Sequence, residues 1–343
     1  MPIPFILAGI GIATGVIGGV GHACAKETNE KAEKISRDAQ RMYNNEKDAL
    51  ENMKNKAEND LLQLGYSKKN VLESSMKQFV KTYDKIKNIS ITASLGMDEI
   101  SNFCIDNQDI IEINELSNIY SSVVQSGVAT ATTSAIIALA SSGSLSIVTS
   151  GLSIAGTALA AGEITSAASI AGAALSFGAS MTPLVAVAAP VIFITAFSAS
   201  TKADENLEKA EEMYAEAEEA VEKMKVSETL CKAISERSKM FNELLIDLDK
   251  MFSECVNLLD EIIKKKEKTK FWKRNKSYDF SQKELELIAV TRALAGAEKT
   301  ILDTPILSKQ GNLFDGFQEV YNRTSEGYIE LNNKVEEVID NLN

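Results

Sequence analysis

The chain has 343 residues, enough for a large core or two lobes, with 45% hydrophobic and 6% aromatic residues and five prolines. Its net charge of −12 disfavours general binding of nucleic acid, and a single histidine nearly excludes zinc sites and histidine-based catalysis. Long stretches of helix-forming residues without strand-like alternation predict an all-α protein, and four well-separated cysteines favour reduced thiols in the cytoplasm.

The first 25 residues carry no charged side chain and include the Gly-rich stretch AGIGIATGVIGGVG at 8–21. A dinucleotide-binding loop is disfavoured because the glycine spacing departs from GxGxxG and no βαβ pattern surrounds it. An export signal is disfavoured because the residues before the stretch include no Lys or Arg. Gly11, Gly15 and Gly19 are four residues apart, which places them on one helix face that a second helix can approach closely. We predict a retained, membrane-competent helix, with an apolar helix buried in a soluble bundle as the alternative.

Residues 26–115 are predicted to form amphipathic helices. Between 26 and 64, apolar residues recur at spacings of three, four or seven with charges between them, which is typical of a helix in a bundle. Gly65 is predicted to end this helix and Ser67 to begin the next, which runs to about Asn88. A shorter helical stretch follows.

Residues 116–201 contain a single charged side chain, Glu163, and are called the second uncharged region below. Turn signals divide it into helical pieces of roughly 17–20 residues, close to the ~20 that cross a bilayer. Its small residues suit close helix packing in lipid as well as burial inside a bundle. Together with the three N-terminal glycines, the residues predicted to pack or insert these helices are Gly156, Gly162, Gly172, Pro183 and Pro190.

Glu163 lies beside a predicted turn of the second uncharged region. Transfer of a carboxylate into a bilayer costs free energy, and protonation of the carboxylate lowers this cost. Glu163 is therefore a candidate protonation switch for insertion. An ordinary, solvent-exposed turn residue without a special role is the alternative interpretation.

Residues 202–263 are predicted to form a long amphipathic helix, with a break or stutter between Ser227 and Arg237 where the apolar spacing slips by one residue. The sequence KKKEKTKFWKRNK follows at 264–276, here called the basic stretch, and it contains the only Trp of the chain. Two further helices are predicted at about 281–303 and 312–341.

The basic stretch is predicted to contact anionic lipid headgroups, because clustered Lys and Arg attract them and aromatic side chains suit the headgroup layer. A solvated loop or a docking site for a protein partner is the alternative. The residues assigned to this surface are Lys264, Lys265, Lys266, Lys268, Lys270, Trp272, Lys273, Arg274 and Lys276.

In its layout the chain resembles the α-helical pore-forming toxins of the cytolysin A and haemolysin BL type, and it is similar to apolipoprotein L-like proteins. The resemblance rests on the apolar residues at 116–201 and on the helical spacing at 26–64 and 203–263; it is a likeness of architecture, without a shared specific motif. It implies a membrane-active protein. The missing export signal and the additional Gly-rich segment favour action inside the producing cell, as a bacterial defence effector or as a partner of a dynamin-like GTPase.

These patterns together predict an elongated bundle of coiled-coil-like helices, from 26–115 and 202–343, that encloses or carries a hydrophobic helical hairpin region at 116–201. The predicted protein is not an enzyme, because its carboxylates lie on helix faces beside Lys residues, and no cofactor or metal is expected. We expect it to move from the cytoplasm to a membrane and to insert its Gly/Ala-rich helices there as a homo-oligomer that forms pores or remodels the bilayer. Anionic lipids and a protein partner are expected to bind it, nucleic acid is not, and a soluble scaffold or adaptor is the alternative.

Overall fold

A computed structural model describes residues 21–86, 103, 105, 107–125, 136–141, 143, 203–273, 280–308 and 311–342. The all-α fold class is confirmed: beyond an isolated bridge between Leu307 and Leu313, these residues contain no strand. The principal helices are α1 (Gly21–Glu73), α2 (Ser75–Tyr83), α3 (Asn107–Gln125), α4 (Ala203–Lys273), α5 (Gln282–Asp303) and α6 (Phe317–Leu342). Residues 136–141 add a short helical segment, and the predicted boundary between residues 115 and 116 falls inside α3.

Helix α1 continues through Gly65 and Ser67 to Glu73, so the predicted helix boundary at Gly65 and Ser67 is wrong. The break lies instead at Ser74, where the backbone leaves helical geometry at φ −106° and ψ −92° before α2 begins. Gly65 has another role, because a Cβ at this position would overlap the carbonyl oxygen of Ile136. The missing side chain therefore lets the backbone of a distant segment touch the helix.

Helix α4 runs without interruption over 71 residues. A break between Ser227 and Arg237 is therefore wrong, whereas the alternative prediction of a stutter is compatible with a continuous helix. Where the apolar spacing slips by one residue, the buried face of the helix consists of small residues that the apolar pattern did not include. Ser227, Cys231 and Ser235 are all buried there at a spacing of four. The helix also extends ten residues beyond position 263, so the backbone of the basic stretch is helical as far as Lys273.

The described residues form two compact units. Unit 1 consists of the described residues within Met1–Asn55 and Met181–Lys232. Its contributions from α1 and α4 bury small side chains, which permit a short distance between helix axes. The Asn206 amide donates a hydrogen bond to the side-chain oxygen of Asn29 at 3.0 Å. The fully buried alanines of this unit are Ala32, Ala39, Ala210 and Ala217.

Unit 2 consists of the described residues within Lys56–Ser180 and Ala233–Asn343, and its core contains larger side chains than the core of unit 1. Phe79 of α2 packs on Phe252 of α4 with ring centroids 5.5 Å apart, and Phe241 packs on Phe317 at 4.6 Å. Aromatic pairs at this separation contribute beyond the area that they bury. Helix α2 is thus held against α4 by a specific ring contact.

Helix α5 begins with a capping box, in which the Ser281 hydroxyl and the Glu284 carboxylate each accept a backbone N–H of the other residue. This start agrees with the helix predicted from about 281. Further along α5, a Cβ at Gly296 would overlap the backbone carbonyl oxygen of Phe103. The ring of Phe103 lies against Gly327 of α6, so two glycines make room for one residue.

Helix α6 begins at Phe317, five residues later than the predicted start near 312. The intervening residues form a turn instead, because Gly311 adopts a φ of 84°, and the N–H of Phe314 donates back to Ile306 at 3.0 Å. A positive φ is incompatible with a continuing right-handed helix.

Replacing Gly296 by Ala should lower the free energy of unfolding of unit 2 by about 1–3 kcal/mol, because the added methyl group meets a backbone oxygen that cannot rotate away. Urea unfolding of the full chain measures the loss. Gly327→Ala is the matched comparison, since its Cβ meets the Phe103 ring, and a smaller loss is expected there. Equal stability of Gly296→Ala and the natural chain would contradict this packing.

Candidate functional site

Residues 136–141 and 143, called the docked segment below, lie in a groove formed by α1 and the C-terminal end of α5. Every one of these residues is buried. On the α1 side, Leu62 packs against Ile137 and Ala138, while Gly65 admits the backbone. Because the docked segment belongs to the second uncharged region, this groove is where the described helices hold part of that region.

The α5 side of the groove holds the docked segment through its backbone. The carbonyl oxygen of Ser141 accepts hydrogen bonds from the N–H groups of Ile306 at 3.0 Å and Leu307 at 2.9 Å. Gly143 has a φ of 72°, and a Cβ there would overlap the carbonyl oxygen of Asp303. The end of the docked segment therefore fits closely against the residues at the end of α5.

Lys68 of α1 lies in this groove and is fully buried. Its Nζ atom is 3.4 Å from the carbonyl oxygen of Leu139, 3.2 Å from that of Leu302 and 3.3 Å from that of Thr304. An ammonium group has three N–H donors, so each carbonyl can accept one. The three carbonyls lie at or just beyond helix C-terminal ends, where oxygens lack partners within the helix.

Burial lowers the pKa of Lys68 to about 7, against the opposing influence of the Asp303 carboxylate. In the unfolded chain the amine keeps its ordinary value of 10.5. Between about pH 7 and 10.5 the unfolded state holds a proton that the folded state lacks, so this group makes stability rise with pH. Below about pH 7 both states are protonated, and the folded state bears the full cost of a buried charge.

Glu298 of α5 is a second fully buried ionisable group. Burial raises its pKa well above the ordinary 4.5, and the nearby Asp249 carboxylate adds to the effect. Within the described part of the chain, neither carboxyl oxygen of Glu298 has a hydrogen-bond partner. Above pH 4.5 the folded state holds a proton that the unfolded state loses, so Glu298 makes stability fall as pH rises towards its folded pKa.

Lys299 follows Glu298 and ties α3 to α5. Its Nζ atom is 3.1 Å from Asp109 and 3.2 Å from Glu112, both on α3, and 2.6 Å from Asp303. Burial alone would lower the pKa of Lys299, but the ion pairs outweigh it and raise the pKa above its usual value. Helix α3, which leads into the second uncharged region, is thereby fixed beside the groove.

Sequence reasoning overlooked both buried ionisable residues, although each leaves a signal. Lys68 continues the spacing of Leu61, Gly65 and Leu72, so it interrupts an otherwise apolar face of α1. Glu298 likewise occupies a position four residues after Leu294 on α5. Helical spacing places these two charges on buried faces but does not reveal the carbonyls around Lys68, which come from residues 71 to 236 positions away.

Within the basic stretch the side chains of residues 264–268 are described, and two of these lysines have acidic partners. Lys264 lies 2.5 Å from Asp260, and Lys266 lies 2.9 Å from Glu284. Lys266 also sits 5.0 Å from the ring centroid of Phe280. The side chains of Lys265 and Lys268 are exposed on α4.

Most of the other predicted site residues fall outside the described parts. The side chains of Lys270, Trp272 and Lys273 are not described, although their backbone belongs to α4. The remaining predicted residues lie outside the described residues altogether: Gly11, Gly15, Gly19, Gly156, Gly162, Glu163, Gly172, Pro183, Pro190, Arg274 and Lys276.

A cleft of 470 Å³ between α4 and α6 is lined by side chains of both charges, including Asp247, Lys250 and Glu336. No group of three or more His, Cys, Asp or Glu residues in the described ranges is placed to hold a metal ion. Burial raises the pKa of the Cys255 thiol to about 12, which keeps it protonated and a poor nucleophile at neutral pH.

Comparison with known proteins gives no relative from which to transfer a function: no family model, known protein or solved structure matches this chain. A search of the described helices finds none that is long and apolar enough to cross a bilayer.

Replacing Glu298 by Gln should raise the free energy of unfolding at pH 8 relative to pH 5. The ionising carboxyl favours the unfolded state by about 1.4 kcal/mol for each pH unit between 4.5 and its folded pKa, and Gln removes this contribution while keeping the shape. Urea unfolding at pH 5, 6.5 and 8 measures the difference between variant and natural chain. Glu330→Gln, an exposed position on α6, is the control. A Glu298→Gln difference that is constant across pH would contradict the buried, protonated carboxyl.

Proposed function

We propose that this chain is a membrane-active helical protein that inserts its uncharged segments into a bilayer and perforates or remodels it as a homo-oligomer. The observation that carries the proposal is the composition of residues 116–201, which contain one charged side chain in 86 positions. Residues 1–25 add a second uncharged, Gly-rich segment. Stretches of this length without charge suit either permanent burial or a lipid environment.

The contacts of the docked segment support a role in which it leaves its groove. Its described polar contacts are hydrogen bonds to the Lys68 amine and to backbone N–H groups, and the described ranges include no ion pair to it. A local segment of a protein opens at a lower free energy than the whole core. Release of this segment would free the adjoining uncharged residues to meet lipid.

The exposed lysines at the end of α4 support contact with anionic headgroups. Lys265 and Lys268 project from the helix, and each cation near an anionic surface contributes ~1 kcal/mol. In this proposal the basic stretch, including Trp272, first holds the protein at the membrane from the cytoplasmic side. A bacterial defence effector or a partner of a dynamin-like GTPase would use such an activity.

A soluble scaffold or adaptor, with residues 116–201 as permanent core, is the second candidate function. The observation that favours it is the complete burial of residues 136–141, together with the match between three carbonyls and the donors of Lys68. A core built in this way needs no lipid. The two candidates differ in whether the groove ever opens.

Purified full-length protein is expected to float with anionic liposomes and to release trapped dye, at neutral or acidic pH. Flotation and fluorescence dequenching measure binding and perforation, and zwitterionic liposomes serve as the lipid control. A protein that neither floats nor releases dye at either pH contradicts the proposal and favours the scaffold.

The double variant Lys265→Gln/Lys268→Gln should bind anionic liposomes roughly thirtyfold more weakly, since two surface cations contribute ~2 kcal/mol together. Lys209→Gln/Lys232→Gln removes the same charge from exposed positions of the same helix and is the matched control. Equal loss in both doubles would indicate a general charge effect and would remove the basic stretch from the proposal.

A further inference from the structure

We propose that two copies of this chain form a dimer in solution, in which the basic end of α4 from each copy lies against the cleft between α4 and α6 of the other. The basic end is defined as residues 264–273, the part of the basic stretch whose backbone belongs to α4. The inference deepens the proposed function and rests on its use of the basic stretch as a contact surface. It names the partner that this surface binds away from a membrane.

The cleft between α4 and α6 combines an apolar lining with an acidic rim. Met251 and Val335 line the cleft and are buried. The exposed side chains that line it are Asp247, Lys250, Glu254, Glu336 and Asp340. Four carboxylates against one ammonium group give this rim a net negative charge. Within the described ranges no ion pair engages the carboxylates of Asp247, Glu254 or Asp340, so a cationic partner would neutralise them.

Two exposed isoleucines add apolar surface beside the cleft. Ile246 is 52% exposed and precedes Lys250 by one turn of α4, and Ile329 is 61% exposed and precedes Glu336 by two turns of α6. Residues at these spacings share a helix face, so each isoleucine lies on the same side of its helix as a residue of the cleft. A partner that covers the cleft can therefore also bury apolar area, which favours association.

A single exposed stripe of α4 carries both contact surfaces. Asp247 and Lys265 are eighteen positions apart, which is five full turns at about 3.6 residues per turn, so they lie on the same side of the helix. Both side chains are exposed, and so are Asn257 and Glu261 between them. The stripe therefore has the acidic cleft at one end and the basic end of α4 at the other.

A stripe with opposite charges at its two ends is complementary to a second copy of itself in antiparallel orientation. The cleft of each copy then faces the basic end of the other, and a two-fold axis relates the two identical contacts. Opposite charges across an interface speed association and fix its register. Parallel pairing of the two α4 helices would instead place like charges opposite one another.

Charge and helix geometry together identify the partner as a second copy. Copies of a chain with net charge −12 repel one another unless oppositely charged surfaces meet. The basic end holds six lysines and one glutamate in ten positions. It cannot fold back onto the α4 wall of its own cleft, because Lys264 lies ten positions beyond Glu254 on one continuous helix, ~15 Å along the axis.

Sedimentation of the full-length protein without lipid tests the dimer. A reversible equilibrium between monomer and dimer is expected, with a dissociation constant that rises about tenfold between about 0.05 M and 0.5 M salt, because salt screens the charge pairs at the rim. A protein that stays monomeric up to about 100 μM in low salt overturns the proposal. A dimer whose dissociation constant does not change with salt also overturns it.

Two charge-reversal variants assign the contact. Glu254→Lys/Asp340→Lys reverses charges of the cleft, and Lys265→Glu/Lys268→Glu reverses charges of the basic end. Each variant alone should dimerise about thirtyfold more weakly than the natural chain, since both contacts then join like charges. An equimolar mixture of the two should recover the natural affinity to within about fivefold, because one contact is then natural and the other has its charges exchanged. A mixture that associates no better than either variant alone overturns the pairing.

Glu236→Lys/Glu319→Lys is the matched control for the cleft variant. It makes the same change of charge at exposed positions of α4 and α6 that do not line the cleft. Its dissociation constant should stay within about twofold of the natural value, as expected for surface charges outside an interface. Equal weakening by the control and the cleft variant overturns the assignment of the cleft.

Dye release from anionic liposomes separates the dimer from the proposed function. A salt-sensitive dimer that neither floats with liposomes nor releases dye supports the dimer and contradicts membrane activity. Dye release by a protein that is monomeric in low salt overturns the dimer and leaves membrane activity standing.

Discussion

A fully buried amine surrounded by backbone carbonyls constrains how unit 2 can be built. Lys68 cannot be placed in an apolar groove unless acceptors replace the water that it loses, because an unpaired buried charge costs several kcal/mol. Two helix ends supply those acceptors, at Leu139 and at Leu302–Thr304. The close backbone contacts at Gly65 and Gly143 bring the docked segment to the same groove as these acceptors.

Two buried ionisable groups give unit 2 a stability that depends on pH in opposite directions. Acidification protonates Lys68 in the folded state, whereas the unfolded state already carries that proton, so the free energy of unfolding falls. A rise in pH ionises Glu298 in the unfolded state while the folded state keeps its proton, so the free energy of unfolding falls in that direction as well. Replacing either group by an apolar residue of similar volume is the usual route to greater stability. Both groups thus lie where stability alone would favour other residues, and buried groups with strongly shifted pKa values are candidates for a functional role.

The sequence predicted the fold class and the approximate extent of α5, because helix formers, caps and apolar spacing are local signals. The end of α1 was misplaced because a glycine can either end a helix or let a neighbouring segment come close. Gly65 has the second role, since it contacts the backbone of Ile136, 71 positions away. The apolar spacing left a break in α4 open as an alternative, because buried serines and a cysteine form the inner face of the helix at the slip. The groove around Lys68 depends on long-range backbone contacts, which no spacing within one helix encodes.

Release of the docked segment is the step that separates a membrane-active protein from a scaffold, and a reversible covalent lock tests it most directly. Cysteines at Leu62→Cys and Ala138→Cys, in a chain without its four natural cysteines, place a disulfide across contacting positions. The oxidised protein should fail to release dye from anionic liposomes, and reduction should restore release. Equal dye release by the oxidised and reduced forms would contradict the account, because the uncharged region would then act without leaving its groove.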